Sequence, residues 1–157
     1  MRALTLSLKG RALRLLSQRE HSRYELEQKL KPHEKHEGEL KKALDTLEEK
    51  GFISELRVME SVVYQKGVKL GALRIKQELQ NKKIAQPLIV QAMAQLKETE
   101  LSRAQKLWKR NYGEPAKDSK EKAKQIRFLL SRGFDAQVIR KIISDVDRYD
   151  GDLSALD

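Results

Sequence analysis

Cysteine is absent from the 157 residues, which removes disulfides, thiol catalysis and cysteine-ligated zinc. Aromatic residues make up only 5%, so whatever core forms must be thin. No apolar run approaches the ~18 residues needed to span a bilayer, and the first twenty residues lack the continuous apolar stretch of a secretory signal. Those residues do carry Arg2, Lys9, Arg11, Arg14 and Arg19 ahead of the first acid, Glu20, as an organelle transit peptide would. Leu13 and Leu16, however, are needed for an opening helix, and a cytoplasmic protein with no membrane partner is expected. Neither a G-x-x-x-x-G-K-[ST] loop nor a G-x-G-x-x-G turn is present, so a nucleotide enzyme would lack its phosphate cradle. His33 and His36 have neither the H-E-x-x-H spacing nor a third ligand and read as solvated turn residues. His21 has no nucleophile beside it. No catalytic constellation, metal site or cofactor is expected, and the chain reads as a non-enzyme.

What is abundant is charge. Charged residues make up 36%, and 33 Lys and Arg against 23 Asp and Glu leave a net +10. The excess is local: residues 63–84 hold six cations and one acid, and residues 99–134 hold ten cations and four acids, whereas residues 135–157 are net acidic. Such a field attracts a phosphate backbone or an acidic protein surface without specifying sequence. Trp108, Tyr64 and Tyr112 are the aromatics able to stack on bases, but Trp108 lies in an apolar helix stripe and is expected in the core.

The apolar residues repeat. Leu26 and Leu30 are followed by Leu40, Leu44 and Leu47; Ile75 and Leu79 by Ile89, Met93 and Leu96; Ile126 and Leu130 by Ile139, Ile143 and Val146. Each set describes two short amphipathic helices joined by a turn. The first helix of the pair shifts by 49 and then 51 residues, the second by 49 and then 50. A period near fifty marks a tandem array of supersecondary units.

Local signals divide the chain into nine helices. The first runs from about Leu8 to Ser17 with Ala12, Leu13 and Leu16 inward. Ser22 and Glu25 form a capping box for the second, and Pro32 ends it. The third closes at Gly51, and Ser54 caps a fourth over Glu55 to Lys66. A fifth spans Gly71 to Gln80, and a sixth runs from Gln86 to Lys97 with Pro87 in its first turn. A seventh begins near Leu101 and meets a loop at Asn111 to Pro115. An eighth spans Asp118 to Ser131, with Ile126, Phe128, Leu129 and Leu130 inward, and Asp135 caps a ninth that reaches Asp147. The expected fold is all-α: three tandem three-helix, helix-turn-helix-like repeats over residues 5–53, 54–98 and 99–150, with a frayed tail at 151–157.

Several of these residues also resemble a known family. Leu15-Leu16-Ser17, Arg19-Glu20-His21-Ser22-Arg23, Glu25-Leu26 and Lys29-Leu30 resemble the opening motif of the bacterial RecX family. The resemblance continues through Gly51-Phe52-Ile53 with Arg57, Gly71, Arg74-Ile75, Glu78-Leu79, Arg127-Phe128-Leu129-Leu130 and Arg132-Gly133-Phe134. Lys82-Lys83-Ile84 departs from the family's Lys-Gly-Ile, which leaves that turn room for a different geometry. The resemblance implies an elongated, curved array that lodges in the groove of the RecA filament on DNA and inhibits strand exchange and associated activities. Arg57, Arg74 and Arg127, which sit in these motifs, and Lys76, Lys82, Lys122 and Lys124, on charge alone, are expected to face filament or DNA. A monomer is expected, with weaker electrostatic binding to single- and double-stranded DNA. The alternative is a helical protein whose main target is nucleic acid itself.

Overall fold

The computed structural model describes residues 5–143, which are helical throughout and contain no strand. Helix α1 (Leu8–Gln18) is capped by Ser7, and α2 (Arg23–Leu30) carries the expected Ser22–Glu25 box. A short 3-10 turn at Lys31–His33 takes Pro32, after which α3 (Glu39–Glu49) runs back along α1. Arg23 binds α2 to α3 through Asp45 and Glu48, both at 2.7 Å, and pairs within α2 with Glu27 at 3.2 Å. Leu8, Ala12, Leu26, Leu30, Leu40, Ala43, Leu44, Leu47 and Ile53 close the first core.

The second unit repeats this arrangement with α4 (Glu55–Lys66), α5 (Ala72–Asn81) and the start of α6 (Gln86–Asn111). Its core is Val58, Met59, Val62, Ala72, Ile75, Leu79, Ile84, Ile89, Ala92 and Leu96. The third core gathers Ala104, Leu107 and Trp108 from the far end of α6, Leu129 from α7 (Ser119–Ser131), Phe134, and Ile139, Ile142 and Ile143 from α8, residues 136–143. Among the described residues no helix is long and apolar enough to cross a membrane.

Three sequence expectations change. The sixth and seventh helices are one: α6 runs unbroken for 26 residues. The stretch Lys97 to Glu100 holds neither glycine nor proline, so helix propagation meets no stop. The inward register of α7 is also shifted by one. Leu130 is 48% exposed, while Leu129 and Gln125 are buried. With Gln125 matching Ile75 and Leu129 matching Leu79, the shift becomes 50, the same as between Ile89 and Ile139. The repeat was obscured because its buried position is polar here. Trp108 donates from Nε1 to Gln125 Oε1 at 2.9 Å, and Gln125 Nε2 donates to the Glu114 carbonyl at 3.4 Å, so the buried amide is partnered at both ends. In α1, similarly, Leu13 is 38% exposed, and Leu8 and Ala12 are the buried residues. Val146 and the end of the ninth helix at Asp147, the limit at 150 and the tail 151–157 lie outside the described residues.

Candidate functional site

The functional surface is set by how the units meet, because the meeting points consume several of the cations. Helix α5 starts at Gly71 with no side-chain cap, so its first N–H groups need acceptors from elsewhere. Gly71 N donates to the Arg132 carbonyl at 2.7 Å and Leu73 N to the Gly133 carbonyl at 3.1 Å. Ala72 N donates to Oε1 of the buried Glu100 at 3.0 Å. The two carbonyls follow the end of α7, so the positive end of one helix dipole faces the negative end of another. This approach needs both glycines: a Cβ on Gly71 would strike the Gly133 backbone, and one on Gly133, at φ +90°, would strike Arg74. Arg74 lies across the contact and donates from Nη1 to the Ser131 carbonyl at 2.8 Å. From α6, Arg103 donates to the carbonyls of Gly67, Leu70 and Leu96 at 3.0, 2.7 and 3.2 Å, with its guanidinium 6.0 Å from the Phe134 ring centre. Burial lowers the Arg103 pKa from its ordinary value, and Glu100 partly opposes this.

Fifty residues upstream the same meeting of helix ends recurs between α2 and α5 with different chemistry. Lys83 stands where Gly133 stands in the third unit and takes the left-handed conformation, φ +59°, without glycine. The turn thus keeps its shape despite the departure in sequence. Helix α2 is capped by its own residues, Ser22 Oγ accepting from Glu25 N at 3.2 Å and Glu25 Oε1 accepting from Ser22 N at 3.1 Å. Side chains therefore make this joint. Lys82 Nζ donates to Glu25 Oε1 at 3.0 Å and Arg19 Nη2 to Glu25 Oε2 at 2.6 Å. Arg57 donates from Nε to Glu20 at 2.9 Å and from Nη2 to the Gly51 carbonyl at 2.7 Å, and the Lys83 ammonium lies 5.6 Å from the Tyr24 ring centre. Burial works to raise the Glu25 pKa, but hydrogen bonds from Arg19, the Ser22 N–H and Lys82 outweigh it and hold the carboxyl down at about 2. Behind it, buried His21 has Nδ1 at 3.0 Å from the Arg19 carbonyl and Nε2 at 3.1 Å from Lys29 Nζ. Both contacts suit a neutral ring protonated on Nδ1, and burial lowers its pKa.

Of the seven cations expected on the functional face, Arg57 and Lys82 are thus engaged at the first joint and Arg74 at the second. Lys124 and Arg127 are exposed on α7 with no ion pair among the described residues, and Lys120, which the sequence did not single out, precedes them at i−4 and i−7. This spacing puts the three on one helix face, and the face continues through Ser131 to the Arg74 guanidinium. The result is a cationic strip crossing from the third unit to the second. Lys76 is two residues beyond Arg74 and so turns to another side of α5. Lys122 lines an apolar groove of about 480 Å³ between α7 and α8 with Ile126, Leu130 and Ile139. Trp108 is 9% exposed and Tyr112 packs edge-on against Phe128 at 5.6 Å, which leaves Tyr64, 83% exposed, as the open aromatic of the three. Among the described residues no group of three or more His, Asp and Glu side chains could hold a metal ion.

The motif residues of the sequence now have physical roles: Arg19, Glu20, His21, Ser22, Glu25 and Arg57 build one joint, and Gly71, Arg74, Gly133 and Phe134 the other. Comparison with known proteins agrees. A model of the first three-helix domain of RecX matches residues 9–47, and one of its third three-helix domain matches residues 98–143. The Regulatory protein RecX of Leptothrix cholodnii is 46% identical over 142 residues, covering 90% of each chain. That of Ralstonia pickettii is 42% identical over 151 residues, covering 95% of each. A crystal structure of RecX from Lactobacillus salivarius matches with a TM-score of 0.73 over 89% of this chain and 94% of that one; at 23% identity it speaks for the fold alone. Identity of this extent over nearly the whole length, on a fold whose joints are built from the motif residues, means that the chain belongs to the RecX family.

Proposed function

We propose that this chain binds the RecA–DNA nucleoprotein filament in its groove and modulates the recombinase, lowering ATP hydrolysis and strand exchange in recombination, DNA repair and the SOS response. The observation that carries this reading is 46% identity over 142 residues to a protein named Regulatory protein RecX. The cationic strip of Lys120, Lys124, Arg127 and Arg74 supports it by offering a polyanion an open, pre-ordered track. In this reading the units 5–53, 54–98 and 99–150 each supply a modest contact, and the array joins them by multivalency. Lys76 and Lys122 face filament or DNA beside the strip. The protein acts as a cytoplasmic monomer by binding rather than by catalysis.

A second reading, in which bare DNA is the main target, is favoured by the same exposed cations of the strip. RecA-catalysed ATP hydrolysis on single-stranded DNA, titrated with this protein at two salt concentrations beside DNA binding by the protein alone, separates the two. Inhibition below the DNA-site concentration that survives the higher salt supports filament recognition. Inhibition only once the protein saturates bare DNA supports the second reading.

A further inference from the structure

The two joints occupy equivalent positions in the repeat yet differ in kind. Between units 2 and 3, α6 passes through both cores as one helix, and two backbone hydrogen bonds tie Gly71 and Leu73 to the α7 terminus. Arg103 adds three carbonyl contacts within this junction. Between units 1 and 2 the connection is the short stretch of residues 50–54, with Gly51 at φ +83°. No buried apolar cluster and no backbone hydrogen bond crosses it among the described residues. What crosses is carried by cations: Arg57 with Glu20 and the Gly51 carbonyl, Lys82 with Glu25, and Lys83 over the Tyr24 ring, beside a cleft of about 280 Å³ of mixed polarity lined by Arg19, Glu20, Val58, Val62, Gln65 and Lys82. Arg57 and Glu20 keep 45% and 30% of their side chains exposed, so ions in solution reach that pair first, whereas Lys82 and Glu25, 15% and 13% exposed, are reached only as the joint starts to open. Neither glycine of the second joint is present here: Ser22 caps α2 where Gly71 caps α5, and Lys83 stands where Gly133 stands, so both sides carry the Cβ that the close backbone approach excludes.

We propose that the joint between units 1 and 2 is an ionic latch. Unit 1 turns as a body about residues 50–54 when competing anions draw Arg57 and Lys82 away from Glu20 and Glu25, while units 2 and 3 turn together. A phosphate-rich surface approaching the chain competes for these same two cations, so contact with it releases the latch and adjusts the curvature of the array to what it meets. The latch stands on the geometry of the joint and holds whether the polyanion is a filament or bare DNA.

The absence of cysteine makes the test direct. Spin labels on Gln28→Cys and Gln95→Cys, both exposed, report across the first joint, and labels on Gln80→Cys and Gln137→Cys report across the second. Pulsed electron resonance is read at about 0.05 M and about 0.5 M salt, where screening lengths differ severalfold, and again with inorganic polyphosphate. The expected result is a distribution across the first joint that lengthens and broadens by several ångströms with salt or polyphosphate, while that across the second stays fixed. The Glu20→Gln, Lys82→Gln variant should show the open distribution already at low salt. A first-joint distribution that is unchanged by salt and polyphosphate in the otherwise native sequence overturns the latch, as does equal movement at both joints.

Discussion

Glu25 illustrates how one side chain can serve local and long-range structure together. It completes the cap of α2 and accepts from Arg19 and Lys82, so its removal affects both a helix terminus and a joint. Because its carboxyl is held at about 2 against an ordinary 4.5, its contribution to stability is complete above pH 4.5 and lost as the pH falls toward 2. Glu25→Gln should cost roughly 2–3 kcal/mol at neutral pH and flatten the loss of stability between pH 4.5 and 2, as read by urea unfolding at several pH values. His21 acts in the same direction over a higher window. Its pKa lies below 6.5, so burial of the neutral ring supports folding above that pH and weakens as the pH drops beneath it. Gln125→Leu places an apolar side chain at a buried position and should nevertheless destabilise by about 1–3 kcal/mol, because the Trp108 N–H loses its acceptor. The single tryptophan provides the readout, through its fluorescence during urea unfolding.

At the level of the helix, much of the architecture was legible. Apolar spacing located α2, α3, α4 and α5, and Ser22 and Ser54 cap the helices they were expected to cap, while Asp118, expected as the first residue of its helix, proves to be its cap. Where reading failed, the residue types concealed the physics. Gln125 broke the apolar pattern of α7 because its burial is compensated by hydrogen bonds rather than by chemistry visible in a hydropathy scale. The fusion within α6 was missed because the repeat called for a break where Lys97 to Glu100 supply no residue able to make one. The strip was partly legible: Lys124 and Arg127 stood out by charge, but that Arg57 and Lys82 are drawn into the first joint depends on contacts 37 and 57 residues distant in sequence. Glu98→Pro, at an exposed site in the middle of α6, should cost about 3 kcal/mol or more and uncouple the unfolding of units 2 and 3, measurable by hydrogen exchange of α5 and α7. Gly133→Ala should loosen the same pair by a different route, through collision with Arg74, with lost protection of the Gly71 and Leu73 amides as its signature.

For the molecule as a whole, the net +10 predicts salt-sensitive association with any polyanion, and the strip predicts which residues carry it. Replacing Lys120, Lys124 and Arg127 by glutamine should reduce the slope of log affinity against log salt on duplex DNA by about 2–3, with little effect on urea stability, since the three are exposed. The continuous α6 has a further consequence for how the polypeptide can be divided. A 26-residue helix is a rod of about 39 Å whose two halves complete different cores. Severing the peptide between residues 53 and 54 yields two fragments that each retain whole cores, and they should fold separately and reassociate in trans. Severing it near residue 98 leaves each core's residues on their own side but parts α5 from Glu100, Arg103 and the Arg132 and Gly133 carbonyls that hold its start, so the second unit should be markedly less stable until the other fragment is supplied. During synthesis, then, the first unit can mature as it emerges, whereas the second can gather its core but must wait for sequence of the third to satisfy the start of α5.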